Sequence, residues 1–362
     1  MSAKDDSDLG PWEGDDLETS AKDVVGSGAD AGLPEEIRFR STIAKLVRRR
    51  LAVCNNEDQT PSLAIFLLEP SPPETASAYD PRRVPMLDTG RHDLGGRIWF
   101  VGAGPGSGHW IAANFDDDDE QVRFVTDALR LGDTPAIIFD PEHPEAHIQH
   151  YPNGLDQLEV FKDVSVASTE ISIAAVSDII ENTHSEKMIT PKAQPETMRL
   201  WADSKKWWPV KNAEAKIRDY LLVALNAAFP TCTVREEQDV ISGRLDIEIV
   251  ESDPVDRTRV SQHGVLELKV LRSFGETGRS KDGKETRDWV KSGVEQAASY
   301  RNDRGAAWGA LICFDMRKED EGDNACFGHV LSIAKTLNVH LKRWFLFGRY
   351  KDYRSAVATA GC

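Results

Sequence analysis

The hydrophobic and polar positions between residues 197 and 350 change period several times, from the three- and four-residue spacing of a helix to the two-residue alternation of a strand. This pattern predicts a helix, three strands, a second helix and a further strand, in that order. The six predicted segments are residues 212–229, 233–240, 244–250, 264–271, 284–302 and 306–314. We therefore expect an α/β half with the order αβββαβ, in which helices flank a central mixed sheet.

The first 196 residues have a different pattern. Residues 1–36 contain eleven acidic residues and two lysines, a composition that cannot bury a core and predicts a disordered acidic tail. A helix is predicted at residues 35–51, and a Pro-rich loop at 70–85. Short apolar strands are predicted at 63–68, 98–101, 109–115, 136–139 and 146–151. These segments predict a small mixed α/β domain of unknown role over 37–155, then a helix and linker over 156–196, the αβββαβ domain over 197–350 and a tail over 351–362.

The third strand of the C-terminal half places a carboxylate beside an ammonium group. Glu267 and Lys269 are two residues apart and share one face of the strand, whereas Leu266, Leu268 and Val270 point to the other. Such a pair suits hydrolysis of a phosphodiester, because a carboxylate can hold a hard divalent cation and an ammonium can orient the attacking water. A Glu-x-Lys pair alone is also common on exposed strands, so its weight depends on its neighbours.

Three neighbouring segments supply further polar side chains. Glu214 lies on the buried edge of the first helix, where a carboxylate needs a partner or a metal. Asp246 follows Gly243 in a strand whose polar face it shares with Glu248. Gln296 and Tyr300 are one helical turn apart and so reach the same site. Each of these residues has an alternative interpretation. Glu214 would be a first-turn acid favoured by the helix dipole, Asp246 a residue on an exposed strand face, and Tyr300 a tyrosine that only packs against its neighbours.

In this order and spacing, the Glu214 helix and the GxxD, ExK and QxxxY motifs resemble the PD-(D/E)XK superfamily of nucleases, and within it the RecB-like branch. The resemblance covers residues 197–350 and implies the restriction-endonuclease-like fold. Leu245 stands where the superfamily's name has a proline. Some members hold an iron–sulfur cluster with four cysteines, but the wide spacing of the cysteines after residue 230 implies none here.

The resemblance implies metal-dependent hydrolysis of phosphodiester bonds, with DNA favoured over RNA, in DNA processing or defence against foreign DNA. It implies a catalytic set of three acids, a lysine and the glutamine–tyrosine pair. These residues are Glu214, Asp246, Glu267, Lys269, Gln296 and Tyr300. The acids and the Leu268 carbonyl would hold Mg²⁺ or Mn²⁺, and Lys269 would position the water. The alternatives are an RNA-cleaving effector regulated by the N-terminal domain and a catalytically silent nucleic-acid-binding protein of the same fold.

Charge is divided unevenly between the two halves. The chain has a net charge of −16, of which residues 1–196 carry −19 and residues 197–362 carry +3. The surface that tolerates phosphates is therefore expected on the C-terminal half. Between the third strand and the second helix, a Gly-rich basic loop carries Arg279, Lys281 and Lys284, which we expect to contact substrate phosphates. A solvated connector is the alternative.

The remaining patterns bear on compartment and partners. The absence of a long apolar run and of a signal peptide, with five scattered cysteines, predicts a cytoplasmic protein without membrane contact. A protein partner or homo-oligomer could form through the N-terminal domain. The glycines at 102–108 do not keep dinucleotide-binding spacing and predict a hairpin. A metal site at His143, His147 and His150 is disfavoured, because the last two should face opposite sides of a strand.

Overall fold

The computed structural model describes residues 32–54, 60–104, 106–112, 115, 117–167, 170–274 and 283–360. The helices are α1 (Glu35–Val53), α2 (Asp118–Arg123), α3 (Ile173–Thr183), α4 (Ala213–Ala228), α5 (Gly283–Arg304), α6 (Gly322–Phe327), α7 (Leu331–Thr336) and α8 (Tyr350–Ala360). The strands before α4 are β1 (Ala64–Leu68), β2 (Arg82–Val84), β3 (Arg97–Val101), β4 (Gly108–Ala112), β5 (Ala136–Phe139), β6 (His147–Tyr151), β7 (Lys162–Ser165), β8 (Trp201–Asp203) and β9 (Trp208–Pro209). The strands after α4 are β10 (Thr233–Val240), β11 (Gly243–Ser252), β12 (Val260–Arg272), β13 (Trp308–Met316) and β14 (Val339–Phe345).

The N-terminal part of the chain forms a seven-stranded sheet in the order β2-β4-β3-β1-β5-β6-β7. Its central strand β1 is parallel to β3 and antiparallel to β5. Phe39 and Ile43 of α1 belong to the same buried cluster as Phe66 and Trp99, so α1 covers one face, whereas Val125 and the segment after α2 pack on the other. The predicted hairpin is confirmed, since β3 and β4 pair antiparallel.

Two strands of this sheet were not expected from the sequence. β2 lies within the Pro-rich stretch that was predicted to be a loop, and β7 lies within 156–196, predicted as a helix and linker. Both are edge strands with few buried residues, so their pairing depends on backbone hydrogen bonds and leaves little hydrophobic pattern to detect.

The C-terminal part forms a five-stranded mixed sheet in the order β10-β11-β12-β13-β14. The strands β10, β11 and β12 pair antiparallel, whereas β12, β13 and β14 are parallel. Helices α3 and α4 pack against one face of this sheet and form a single apolar cluster with it. Helix α5 packs against the opposite face. The predicted α/β fold class and the αβββαβ order are confirmed, with β14 added at the edge.

Helix α1 also contacts the C-terminal part. Arg40 Nη2 donates a hydrogen bond of 2.6 Å to the carbonyl of Ala227, and Ser41 Oγ donates one of 2.8 Å to the carbonyl of Pro230. The two sheets are therefore joined through the buried side of this helix. Within the described part of the chain, no helix is long and apolar enough to cross a membrane.

His150 on β6 lies beneath α1 and should make stability pH-dependent. It is 3% exposed, and neither ring nitrogen has a hydrogen-bond partner among the described residues. Burial, with Arg40 and Lys162 nearby, lowers its pKa from 6.5 to about 4. The unfolded chain therefore takes up a proton first, and the free energy of unfolding should fall by up to about 1.4 kcal/mol per pH unit as pH drops from 6.5 to 4.

Urea denaturation across that pH window measures this effect, with His150→Gln as the comparison. The variant has no imidazole to protonate, so its stability should decline less steeply with acid. Equal slopes for the two proteins would contradict the assigned role of His150.

Candidate active site

The candidate site is built where β11 separates from β12. The backbone pairing of the two strands ends at Ile247 and Leu266 and does not continue to Asp246. The next β12 amide that faces β11 belongs to Leu268, and it donates a hydrogen bond of 2.8 Å to Asp246 Oδ2. The Asp246 carboxylate thus replaces a backbone carbonyl as the acceptor. This substitution holds the aspartate against the middle of β12.

The separation also changes the direction of Leu245. The sequence predicts that Leu245, Ile247 and Ile249 share one face of β11. Instead, Leu245 packs with Val265 and Tyr300 on the α5 side, whereas Ile247 and Ile249 belong to the cluster on the α4 side. The simple alternation is therefore wrong at this end of the strand, where β11 stays paired with β10 as far as Gly243 but no longer pairs with β12.

Glu267 and Lys269 lie side by side on β12, as predicted. They are 2% and 4% exposed, and Lys269 Nζ donates a short hydrogen bond to Glu267 Oε1. Leu268 and Val270 point into the opposite cluster with α4. Glu267 Oε2 is also buried, and it has no hydrogen-bond partner among the described residues. A buried carboxylate oxygen without a donor is costly, so it marks a position suited to a cation.

Helix α5 encloses the lysine. Lys269 Nζ lies 4.3 Å from the ring centroid of Trp289, a cation–π distance. At Gly293 an added Cβ would lie 3.2 Å from Lys269 Cγ and 2.7 Å from Leu311 Cδ1. The glycine therefore allows α5 to approach β12 closely, and the ammonium is held between the Glu267 carboxylate and an aromatic face. Helical spacing puts Trp289 on the same stripe of α5 as Gly293, Gln296 and Tyr300, but spacing alone does not reveal this contact.

Glu214 reaches the same site from the first turn of α4. The backbone N–H of Val270 hydrogen-bonds to it, and Asp246, Lys269 and Arg272 are its charged neighbours. The helix begins one residue after Asn212, whose side chain makes no capping hydrogen bond among the described residues. Glu214 is thus oriented by β12 rather than by a helix cap.

Arg218, one turn after Glu214, is a site residue that the sequence reading missed. Its Nη1 lies 3.8 Å from Asp246 Oδ1, and its other nitrogens pair with Glu236 at 2.9 Å and Glu237 at 2.7 Å. The four-residue spacing from Glu214 was the available signal, since it places both side chains on one helical face. Arg218 ties α4 to the strand that carries Asp246.

Burial raises the proton affinity of all three carboxyl groups. Burial, followed by the charge of Asp246, raises the pKa of Glu267 to about 8. Burial and Asp246 likewise raise the pKa of Glu214, and burial raises that of Asp246. The ammonium of Lys269 does not balance three carboxylates in this space, because the guanidinium of Arg218 is shared between Asp246, Glu236 and Glu237. An all-oxygen donor set with excess negative charge fits a hard divalent cation such as Mg²⁺.

Gln296 and Tyr300 lie beside this cluster. Gln296 Nε2 lies 3.4 Å from Tyr300 Oη, and Ser292 Oγ lies 3.4 Å from Gln296 Oε1. Tyr300 is buried, and its pKa is raised first by that burial and then by Glu267. Its hydroxyl also reaches Gly243, where an added Cβ would lie 3.0 Å away. The structure therefore brings the GxxD and QxxxY motifs into contact.

Gly243 is required by that contact and by its backbone angle. Its φ is +145°, a conformation that residues with a side chain rarely adopt. We expect Gly243→Ala to lower the free energy of unfolding by about 1–3 kcal/mol. Urea denaturation checks this, with Gly104→Ala as the control because an added Cβ there meets none of the described residues within 4 Å. Equal midpoints for the two variants would contradict the close approach of Tyr300.

A basic cavity adjoins the end of β12. It has a volume of about 530 Å³, and Arg272, Arg287, Lys318 and His329 are among the residues that line it. Of the basic loop predicted to grip the substrate, Lys284 lies in the first turn of α5, whereas Arg279 and Lys281 lie outside the described residues. Arg272, which lines this cavity, thus places a positive charge three residues after Lys269.

Comparison with known proteins does not assign a family. No protein-family model, no curated protein and no solved structure matches this chain. The chemistry of the site therefore carries the functional conclusion.

Proposed function

We propose that this protein is a Mg²⁺-dependent nuclease of the PD-(D/E)XK type, which hydrolyses phosphodiester bonds, with DNA as the favoured substrate. The observation that carries the proposal is the Leu268 amide donating to Asp246. That hydrogen bond places a second strand's carboxylate against the Glu267–Lys269 pair. Residues distant in the chain thereby form one acidic site with one ammonium, as phosphodiester hydrolysis requires.

Each side chain has a role that follows from its surroundings. Asp246, Glu267 and Glu214 would hold the cation, which when bound polarises the phosphoryl group and lowers the pKa of water. Lys269 is fixed by Glu267 and Trp289, so its ammonium is preorganised to orient the attacking water and to offset charge developing on the phosphate oxygens.

The surroundings also favour a polyanionic substrate. The C-terminal half carries a net charge of +3 within a chain of −16, and the cavity beside β12 presents Arg272, Arg287 and Lys318. A nucleic-acid backbone that crosses the mouth of that cavity would reach the end of β12. DNA processing and defence against foreign DNA are the contexts that the motif resemblance favours.

The test is cleavage of labelled single- and double-stranded DNA and RNA by the full-length chain, with Mg²⁺, with Mn²⁺ and with EDTA. We expect DNA to be cut only with a metal, and Asp246→Asn to abolish cutting. Asp178→Asn, an exposed acid on α3, is the matched control and should cut normally. Cutting of RNA alone would favour the RNA-cleaving effector. A folded protein that cuts nothing and binds no Mg²⁺ would refute the proposal.

The basic loop gives a prediction about substrate binding. Replacing Arg279, Lys281 and Lys284 with glutamine should flatten the dependence of log affinity on log salt by about 2 to 3 units, because each phosphate contact contributes about 0.9. The control replaces Lys335, Lys351 and Arg354, which are exposed on α7 and α8. Fluorescence anisotropy with labelled DNA in Ca²⁺ measures the slopes, and an unchanged slope in the loop variant would refute the phosphate contacts.

A further inference from the structure

A second cluster of metal-ligating side chains lies at the other end of β10, β11 and β12. Cys232, Glu251 and His263 each offer a ligand atom, and these three atoms lie within 4.8 Å of one another. Cys232 and Glu251 are buried and His263 is largely so. Glu251 is five residues from Asp246 on the same strand, about 16 Å away at the rise of a strand. The cluster is therefore separate from the candidate active site.

A β-bulge turns the histidine towards the other two residues. Ile249 pairs with Gly264 and Val250 pairs with Gln262, so His263 is an extra residue in β12. Bulges of this kind redirect a side chain. His263 Nε2 lies 3.5 Å from Glu251 Oε2, yet it is buried and has no hydrogen-bond partner within the described residues. The bulge thus points an unsatisfied nitrogen at a carboxylate.

We propose that Cys232, Glu251 and His263 bind a Zn²⁺ ion. Thiolate sulfur, imidazole nitrogen and carboxylate oxygen are the donors that zinc prefers, and in a tetrahedral site they lie about 3.5 Å apart. Glu251 Oε2 and His263 Nε2 are already at that separation, whereas Cys232 Sγ lies 3.9 Å from the other carboxylate oxygen, Glu251 Oε1, and one ligand atom of each residue lies within 4.8 Å of the others. Water completes the fourth position, and the thiol proton leaves to solvent when the Zn–S bond forms.

The surrounding contacts position the carboxylate and connect the site to α1. Arg48 Nη1 lies 2.5 Å from Glu251 Oε1, and Thr231 Oγ1 donates to the same oxygen at 3.1 Å. These contacts hold Oε1 and leave Oε2 for the metal. Zn²⁺ brings two positive charges and one thiol proton leaves, so binding adds one positive charge beside Arg48, while the thiolate and carboxylate neutralise the ion itself. Zinc at this position would stabilise the junction between α1 and the C-terminal sheet.

Cobalt substitution of the full-length protein tests the site. After chelation and dialysis, titration with Co²⁺ should produce a near-ultraviolet thiolate-to-cobalt charge-transfer band that saturates at one equivalent, and Zn²⁺ should abolish it. Carboxylates alone produce no such band, so Co²⁺ at the candidate active site does not contribute to the signal. The result is independent of nuclease activity.

Variants connect the band to these residues. Cys232→Ser should lose it, and His263→Gln should weaken Co²⁺ binding by about tenfold or more. Cys54→Ser, which alters a cysteine at the end of α1, is the matched control and should retain it. Circular dichroism checks that each variant is folded. A folded wild-type protein without the band, or a band that survives in Cys232→Ser, would overturn the proposal.

Discussion

Replacing Lys269 with methionine is expected to reduce metal-dependent DNA cleavage by about 10³-fold, because preorganised charge that acts on the transition state supplies about 3–4 kcal/mol at such sites. Methionine retains the length and apolar stem that pack against Gly293 and Leu311, so the fold should persist. Only the ammonium group between Glu267 and Trp289 is removed. Single-turnover cleavage at saturating DNA measures the loss directly.

Two comparisons make this prediction specific to the site. Lys291→Met removes an exposed lysine from α5, the helix that covers Lys269, and should leave the cleavage rate unchanged. Lys269→Arg should be as inactive as Lys269→Met, since a planar guanidinium in the space beside Gly293 and Leu311 would displace α5. A Lys269→Met protein that keeps more than a tenth of the wild-type rate would show that the ammonium takes no part in the reaction.

Replacing Glu267 with glutamine should abolish cleavage and, in metal-free protein at pH 8, increase stability. The pKa of Glu267 lies near 8, above its ordinary value of 4.5. The unfolded chain therefore loses this proton first, and the folded state loses stability as pH rises from about 4.5 to 8. Glutamine has no proton to lose, can accept from Lys269 and can donate to Asp246, so it avoids the penalty.

Thermal denaturation at pH 5 and pH 8, with and without Mg²⁺, checks both parts. The wild type should be stabilised by Mg²⁺ at pH 8, and Glu267→Gln should respond weakly to it. Glu248→Gln is the matched control, because Glu248 is equally buried on β11 but paired with Arg304 at 3.0 Å and Arg235 at 3.5 Å. That variant should lose stability, since it leaves two cations without their partner. Lower stability of Glu267→Gln at pH 8 would contradict the excess of negative charge.

The motif residues could be found from sequence because their spacing is local. Two residues along a strand share a face and four along a helix share a side, so Glu267 with Lys269, and Gln296 with Tyr300, were paired before any tertiary contact was known. Arg218 could have been found by the same rule, from its spacing to Glu214. Arg279 and Lys281 lie outside the described residues, so their contact with phosphates stays a prediction.

Contacts that depend on strand separation and helix approach could not be found in this way. Leu245 was expected beside Ile247, but it packs towards Tyr300 at the end of β11 that no longer pairs with β12. The cation–π contact of Trp289 depends on how closely α5 lies on β12, which Gly293 permits. His263 joins Cys232 and Glu251 only because a bulge shifts the register of β12.

By itself, the sequence determined the order αβββαβ, the class of the fold and the chemistry present on each strand and helix, because hydrophobic period and side-chain type are local properties of the chain. The tertiary structure decided which of these groups meet. Asp246 joins the Glu267–Lys269 pair because β11 leaves the ladder and its carboxylate takes the Leu268 amide. That hydrogen bond joins residues 22 positions apart, and its geometry depends on the twist of two strands, which no local periodicity encodes.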